Sequence, residues 1–285
     1  MKYLLTFPLL SATALCLCVY IVSVCALVRL DGRGVLSVAV LDVGQGDAIF
    51  IETPHGRQIL IDGGSSAKVL AQLRSQMSFF DHTIDVLMVT NPDKDHIGGF
   101  IDVLRRYDVS LVLEPGTVSD SATYAQLERL VVAEGSRRVL ARRGMDIVLD
   151  EGVHLLVLFP DTDPSALSTN DGSIVAKLVY GSTTMMLTGD APEKTEKHLV
   201  GLDADMLDSD ILKVGHHGSK TSTSDEFLQA VSPMYAVISA GKKNSYGHPS
   251  PIVVDRLRSF GVQVFGTYAE GRIVFESDGL QWAKK

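Results

Sequence analysis

The run from Ile84 to Val89, apolar except for Asp85, stops abruptly at Thr90-Asn91-Pro92-Asp93-Lys94-Asp95-His96-Ile97-Gly98-Gly99. A short, β-branched apolar run reads as a buried strand. The loop behind it sets three cation-binding side chains, Asp93, Asp95 and His96, within four residues. Carboxylates crowded at a strand's carboxyl end repel one another unless a cation sits between them. The Gly98-Gly99 pair lets backbone pass close by. The chain therefore needs a fold that buries this strand and brings other loops to its end.

The rest of the chain supplies such strands. Val35–Val43 and Ala48–Thr53 flank the tight-turn composition Gly44-Gln45-Gly46-Asp47, and Gln58–Ile61 runs into Asp62-Gly63-Gly64. Ser66–Gln76 has helical spacing, and Ile97–Tyr107 reads as the helix after the polar loop. In the second half, strands are expected at His154–Phe159, Ile174–Tyr180, Thr183–Leu187, Ile211–Val214, Ala236–Ser239, Val262–Phe265 and Arg272–Glu276. Helices are expected near Ser121–Ala133, Pro192–Val200, Asp225–Val231 and Pro251–Phe260. Strands bunched in each half with helices between them predict an α+β domain of two sheets packed face to face under helices.

Polar clusters recur where these strands stop: Asp62-Gly63-Gly64, Asn170-Asp171-Gly172-Ser173, Thr188-Gly189-Asp190, Gly215-His216-His217-Gly218-Ser219 and Asn244-Ser245-Tyr246-Gly247-His248-Pro249. Taken singly each has an ordinary reading. Asp62 closes a turn, Asp190 caps the helix opening at Pro192, and His248 is a loop residue. Together they place histidines and aspartates at strand ends, where sites are assembled. The net charge of −8, from 26 basic and 34 acidic residues, argues against a broad basic face gripping duplex DNA. A small phosphate-bearing substrate, or a nucleic acid end held by metal, remains compatible.

Tyr3–Val28 contains no charged residue and holds all three cysteines, Cys16, Cys18 and Cys25. As a helix rising ~1.5 Å per residue it would span roughly 39 Å, enough for a ~30 Å hydrocarbon core. The expectation is a membrane anchor over residues 1–30 with a globular domain over 31–285 facing outside the cytoplasm; a cleaved signal peptide is the rival reading.

The motifs Asp42-Val43-Gly44-Gln45-Gly46-Asp47-Ala48, Ile61-Asp62-Gly63-Gly64, Thr90 to Gly99, Leu187-Thr188-Gly189-Asp190, Leu212-Lys213-Val214-Gly215-His216-His217-Gly218-Ser219 and Asn244 to Pro249 run in this order over the whole region after the apolar segment. In this the chain resembles metallo-β-lactamase-fold hydrolases, and among them the C-terminal domain of ComEC-type DNA-uptake competence proteins. The resemblance implies a four-layer αββα sandwich behind one transmembrane helix, and a site for one or two divalent ions, Mn²⁺ or Zn²⁺ with Mg²⁺ as a further option. It implies Asn91, Asp93, Asp95, His96, Asp190 and His216 as metal ligands and Asp62 as the aspartate that orients them. It implies Asp95, Asp190 and His248 as catalytic groups, and Asn244, Ser219 and His217 toward substrate. The implied activity is hydrolysis of phosphodiesters, single-stranded DNA above all, beside a DNA-uptake machinery. One departure is Asn91, which stands where the family signature has histidine. Two readings follow: an oxygen-rich two-metal site, or a weakened site that is slow or only binds. Hydrolysis of another ester, such as a lactone or a phosphocholine ester, is a third.

Overall fold

The computed structural model describes residues 14–21, 23 and 34–285. Most of the expected anchor lies outside the described residues; residues 14–21 are helical and exposed. Among the described residues no helix is long and apolar enough to cross a membrane.

From Leu36 onward the chain forms two sheets. The first has eight strands in the order β15-β14-β1-β2-β3-β4-β5-β6. These are β1 (Leu36–Val40), β2 (Ile49–Glu52), β3 (Gln58–Ile61), β4 (Thr83–Met88), β5 (Asp108–Glu114), β6 (Arg137–Leu140), β14 (Ile273–Ser277) and β15 (Trp282–Lys284). The second has seven in the order β13-β12-β11-β10-β9-β8-β7. They are β7 (Asp146–Asp150), β8 (Val153–Phe159), β9 (Val175–Tyr180), β10 (Thr183–Leu187), β11 (Ile211–Lys213), β12 (Tyr235–Ile238) and β13 (Gln263–Gly266).

Strand side chains alternate between two buried faces, which is why the central strands are apolar almost throughout. Val38, Val40, Ile51 and Ile59 of the first sheet meet Leu155, Ala176, Leu178 and Met185 of the second in the middle of the sandwich. The outward face of the first sheet, with Ala39, Phe50, Leu60 and Leu87, is covered by Val69 and Leu73 of the helix Lys68–Arg74, by Phe100, and by Leu127 and Val131 of the helix Ala122–Glu134. The other outer face, with Val175, Met186 and Leu212, is covered from Glu193–Asp203, Asp225–Val231 and Pro251–Ser259. Four αββα layers result, as expected.

Three differences from the sequence reading have physical causes. β6, β7 and β15 escape a hydrophobic pattern because they lie at or next to sheet edges and expose much of their length. β5 escapes because its apolar core, Leu111-Val112-Leu113, is short and follows a helical segment directly. The helix expected over Ile97–Tyr107 is two short ones, Lys94–Ile97 and Phe100–Val103, parted at Gly98-Gly99.

Parallel pairing sets the position of the site. β3 pairs with β4, β10 with β11 and β11 with β12, all parallel. Their carboxyl ends therefore share one edge, and Asp62, the 90–96 loop, Asp190, His216-His217 and Ser239 all leave strands there.

Candidate metal centre

His96 is held from behind. Asp62 follows β3 in a left-handed conformation, φ 57°, which aspartate tolerates better than most residues. Its Oδ1 accepts from the Thr90 N–H at 2.8 Å, and its Oδ2 accepts from the Thr90 hydroxyl at 2.5 Å and from His96 Nδ1 at 2.7 Å. Because the partner of Nδ1 is an acceptor, Nδ1 carries a proton, and Nε2 is the nitrogen that faces forward and can bind a cation once its own proton is lost. Both side chains are buried.

His217 is held in the same way from the other sheet. His216 and His217 both lie at positive φ, 49° and 55°, a strained backbone that turns the pair back over the end of β11. His217 Nδ1 faces Asp47 Oδ1 at 3.2 Å and the Ser239 carbonyl at 3.1 Å, both acceptors, so its Nε2 also points forward. Asp47 is fixed in turn by Lys213 Nζ at 2.6 Å. That ammonium is fully buried and donates also to the Val214 carbonyl at 3.0 Å.

The two forward nitrogens meet carboxylates. His217 Nε2 lies 3.2 Å from Asp95 Oδ2 and 3.6 Å from Asp190 Oδ1. His96 Nε2 lies 3.1 Å from Asp190 Oδ2, on an approach too bent for a hydrogen bond. His96 Nε2 and Asp190 Oδ1 are thus buried polar atoms with no hydrogen-bond partner. Such orphans are costly and call for a partner that the polypeptide does not supply. Donors bound about 2.1 Å from one ion stand roughly 3.0–3.4 Å apart, close to the separations here. Two imidazoles and two carboxylates suit a divalent cation. Three overlapping groups could hold one: Asp95-His96-His217, Asp47-Asp62-His96 and Asp47-Asp190-His217. In the first of these His96 Nε2 has no hydrogen-bond partner, and His217 Nε2 and Asp95 Oδ2 meet each other.

Charge follows the same pattern. Burial opposes ionisation of Asp190, but His96 and His217 outweigh it and hold the carboxyl well below the usual range. Burial likewise works against Asp47, where Lys213 and His217 win. The imidazoles respond in kind: despite burial, Asp190 and Asp62 push His96 well above its ordinary value, and Asp190 and Asp47 push His217 up to about 10. Protons on the two rings thus offset the carboxylates where a cation would.

Among the residues expected at the site, Asp95, His96, Asp190 and Asp62 converge. The histidine pair divides differently from expectation: His217, expected toward substrate, is in the cluster, and His216, expected as a ligand, lies toward the rim with Nε2 3.8 Å from Asp190. The positive φ at both residues is what turns His217 inward. Asn91 and Asp93, both expected as ligands, are engaged elsewhere. Asn91 is fully buried, donating to Asn170 Oδ1 at 2.6 Å and accepting from the Asp93 N–H at 2.9 Å. Asp93 Oδ2 accepts from the Thr169 hydroxyl at 3.0 Å, and Asp93 belongs to none of the three groups. His248 sits at the rim, its ring centre 5.7 Å from that of His216. Asn244 braces that loop by donating to the Gly241 and His248 carbonyls, and the Ser219 hydroxyl meets Thr221 at 2.9 Å. Asp47, Lys213 and Thr90 were not expected as site residues. A lysine inside the apolar run Ile211–Val214 was the available signal, since a buried ammonium requires a buried acid.

A helix-covered β-sandwich with a histidine–aspartate cluster at one strand edge defines a class, the metal-binding αββα sandwiches. Residues 41–242 match the metallo-beta-lactamase superfamily model, and the chain belongs to that superfamily. It is 32% identical over 256 residues to "ComE operon protein 3" of Bacillus subtilis (strain 168), covering 84% of this chain and 32% of that protein. It is 32% identical over 240 residues to "Competence protein ComA" of Neisseria gonorrhoeae, covering 84% and 32%. The chain thus spans about a third of the length of these curated relatives, which bear out the expected resemblance to ComEC-type competence proteins. Among solved structures, Igni18, a metallo hydrolase from Ignicoccus hospitalis, superposes with a TM-score of 0.54 at 15% identity, covering 84% of this chain and 98% of that one. CmlA, a diiron beta-hydroxylase from Streptomyces venezuelae, gives 0.52 at 13%, covering 88% and 54%. At such identities these two speak for the fold alone.

Proposed function

We propose that the chain is a metal-dependent hydrolase of phosphodiesters, acting on single-stranded DNA in a competence-like role and displayed outside the cytoplasm on its N-terminal apolar segment. The observation that carries the reading is the convergence of Asp95, His96, Asp190 and His217, two of whose buried atoms, His96 Nε2 and Asp190 Oδ1, lack hydrogen-bond partners. The names of the curated relatives support the setting in competence. A divalent ion held there would polarise a phosphoryl oxygen and make water a nucleophile near neutral pH.

The chain's own residues do the rest. Asp62 and Asp47 fix the imidazole tautomers so that both Nε2 atoms are available as ligands. His248 and His216 stand at the rim, where a donor would offset charge developing on phosphate oxygens. Burial and the neighbouring His217 and His216 lower the pKa of His248, which favours its neutral form. Because Asn91 and Asp93 are engaged with Asn170 and Thr169, the arrangement favours a single ion over two.

The test is hydrolysis of bis(p-nitrophenyl) phosphate by the purified protein with added Mn²⁺, followed by Asp190→Ala. Turnover in the parent and its loss in the variant are expected; equal rates would remove the assignment. Metal analysis after purification is expected to find about one ion per chain, and two would restore Asn91 and Asp93 as ligands.

A further inference from the structure

The end of the sandwich opposite the cluster carries both the chain's entry and the barest aromatic side chains among the described residues. β1, β3 and β4 run toward the cluster, so Leu36, Gln58 and Thr83 mark the far end. The pairing of Leu36 with Ser277 brings the β14–β15 turn there too. At this end Phe79 is 86% and Phe80 87% exposed, their rings edge to face with centroids 5.1 Å apart, and Leu280 is 80% exposed. Each such side chain forgoes roughly 1.5–3 kcal/mol of burial while it faces water.

The sequence points to what covers them. Tyr3–Val28 is free of charge, and only residues 29–33 separate it from Gly34, two residues before β1. The six steps from Val28 to Gly34 reach at most roughly 22 Å. A bilayer holding the apolar segment therefore lies within that distance of the far end. β1 and β4 stand three strand spacings apart, about 14 Å, so the loop bearing Phe79 and Phe80 shares the same approach.

We propose that Phe79, Phe80 and Leu280 seat in the interfacial layer of a phospholipid bilayer, turning the metal cluster away from the lipid. This rests on the apolar segment residing in that bilayer and is independent of the reaction at the cluster. A cavity of about 540 Å³ beside the Phe79 ring is lined by Arg74, Arg106, His82, Tyr107 and Asp81, and its two guanidinium groups outnumber the one carboxylate in facing the phosphate of a lipid headgroup. Asp81, Asp85 and Asp150 lie at this end as well, with Arg57 paired to Asp85. The contact is thus aromatic insertion, not adsorption of a basic face, and neutral phosphatidylcholine suffices as the partner.

The full chain is reconstituted into phosphatidylcholine vesicles with and without bromine on the acyl chains. Trp282, the single tryptophan, is first changed by Trp282→Phe, and a reporter is introduced by Phe80→Trp. Phe79→Trp serves as a second reporter should the first perturb the loop. Tyr246→Trp is the control, since Tyr246 is 69% exposed at the cluster end. Brominated lipid is expected to remove about half the emission of a reporter at 79 or 80, as for a group in the outer few ångströms of the bilayer, and to leave the reporter at 246 unchanged. Equal quenching at both ends, quenching at neither, or failure of the chain to float with the vesicles would overturn the proposal. A catalytically inert protein that shows the expected quenching would leave it standing.

Discussion

Lys213 has no access to solvent, and Asp47 is the reason the fold tolerates it. Removing one partner of such a pair strands the other in a low-dielectric interior. Lys213→Met is therefore expected to cost about 3–5 kcal/mol in urea unfolding, with much of the loss recovered when Asp47→Leu is added. A loss under about 1 kcal/mol for Lys213→Met would mean that water reaches the pair. The imidazoles lead to a prediction about protons. In the metal-free protein the carboxylate neighbours of His96 and His217 outweigh burial and favour the protonated imidazoles. A cation binding Nε2 must displace those protons. Affinity for Mn²⁺ is thus expected to rise with pH, about tenfold per unit for each proton displaced, until pH passes the folded-state value of about 10 for His217. Calorimetry in buffers of different ionisation heat measures the release, and a pH-independent affinity would contradict it. Asp62, His96 and Asp190 stand out in the sequence because each lies at a strand end within a polar cluster, and it is the family resemblance that assigns them to a site. Asp47 could not, because a Gly-rich turn conceals which member faces inward. Nor could the choice between His216 and His217, which depends on the left-handed backbone at both.

At the scale of elements, close approach of backbone to backbone shapes the cluster. A Cβ on Gly99 would collide with the Gly63 carbonyl, and one on Gly46, φ 122°, with the Asp95 carbonyl. Both contacts lock the loop bearing Asp95 and His96 onto the loops bearing Asp47 and Asp62. Gly99→Ala is expected to destabilise by about 1–3 kcal/mol and to weaken metal binding with it. Gly201, inside the helix Glu193–Asp203 with open space around it, provides the contrast. There, Gly201→Ala should stabilise by up to about 1 kcal/mol, as thermal unfolding would register. Central strands were legible because both faces are buried and the residues are apolar in unbroken runs. β6, β7 and β15 were not, since they place polar side chains toward water and leave little pattern to read. The Gly98-Gly99 pair was read correctly as a close passage, yet that same passage divides the helix expected around it.

At the scale of the molecule, neither sheet owns the site. Asp47, Asp62, Asp95 and His96 come from the first, Asp190 and His217 from the second. An ion bridging them would bind only the assembled sandwich, and at a concentration 100-fold above Kd it would add about 2.7 kcal/mol to the unfolding free energy. Chelator is expected to lower the Tm of the parent and to leave that of Asp190→Ala unmoved. Equal shifts in both would place the ion elsewhere.

The same division has a bearing on how the protein is made. The groups that would coordinate an ion are strewn along the polypeptide from Asp95 to His217, the aspartate that orients the last of them is Asp47, and the carbonyl that steadies it belongs to Ser239. A nascent chain leaving the ribosome carries only fragments of the cradle, unable to trap whichever cation is plentiful at the point of synthesis. Any choice of ion would then fall to the compartment in which folding is completed.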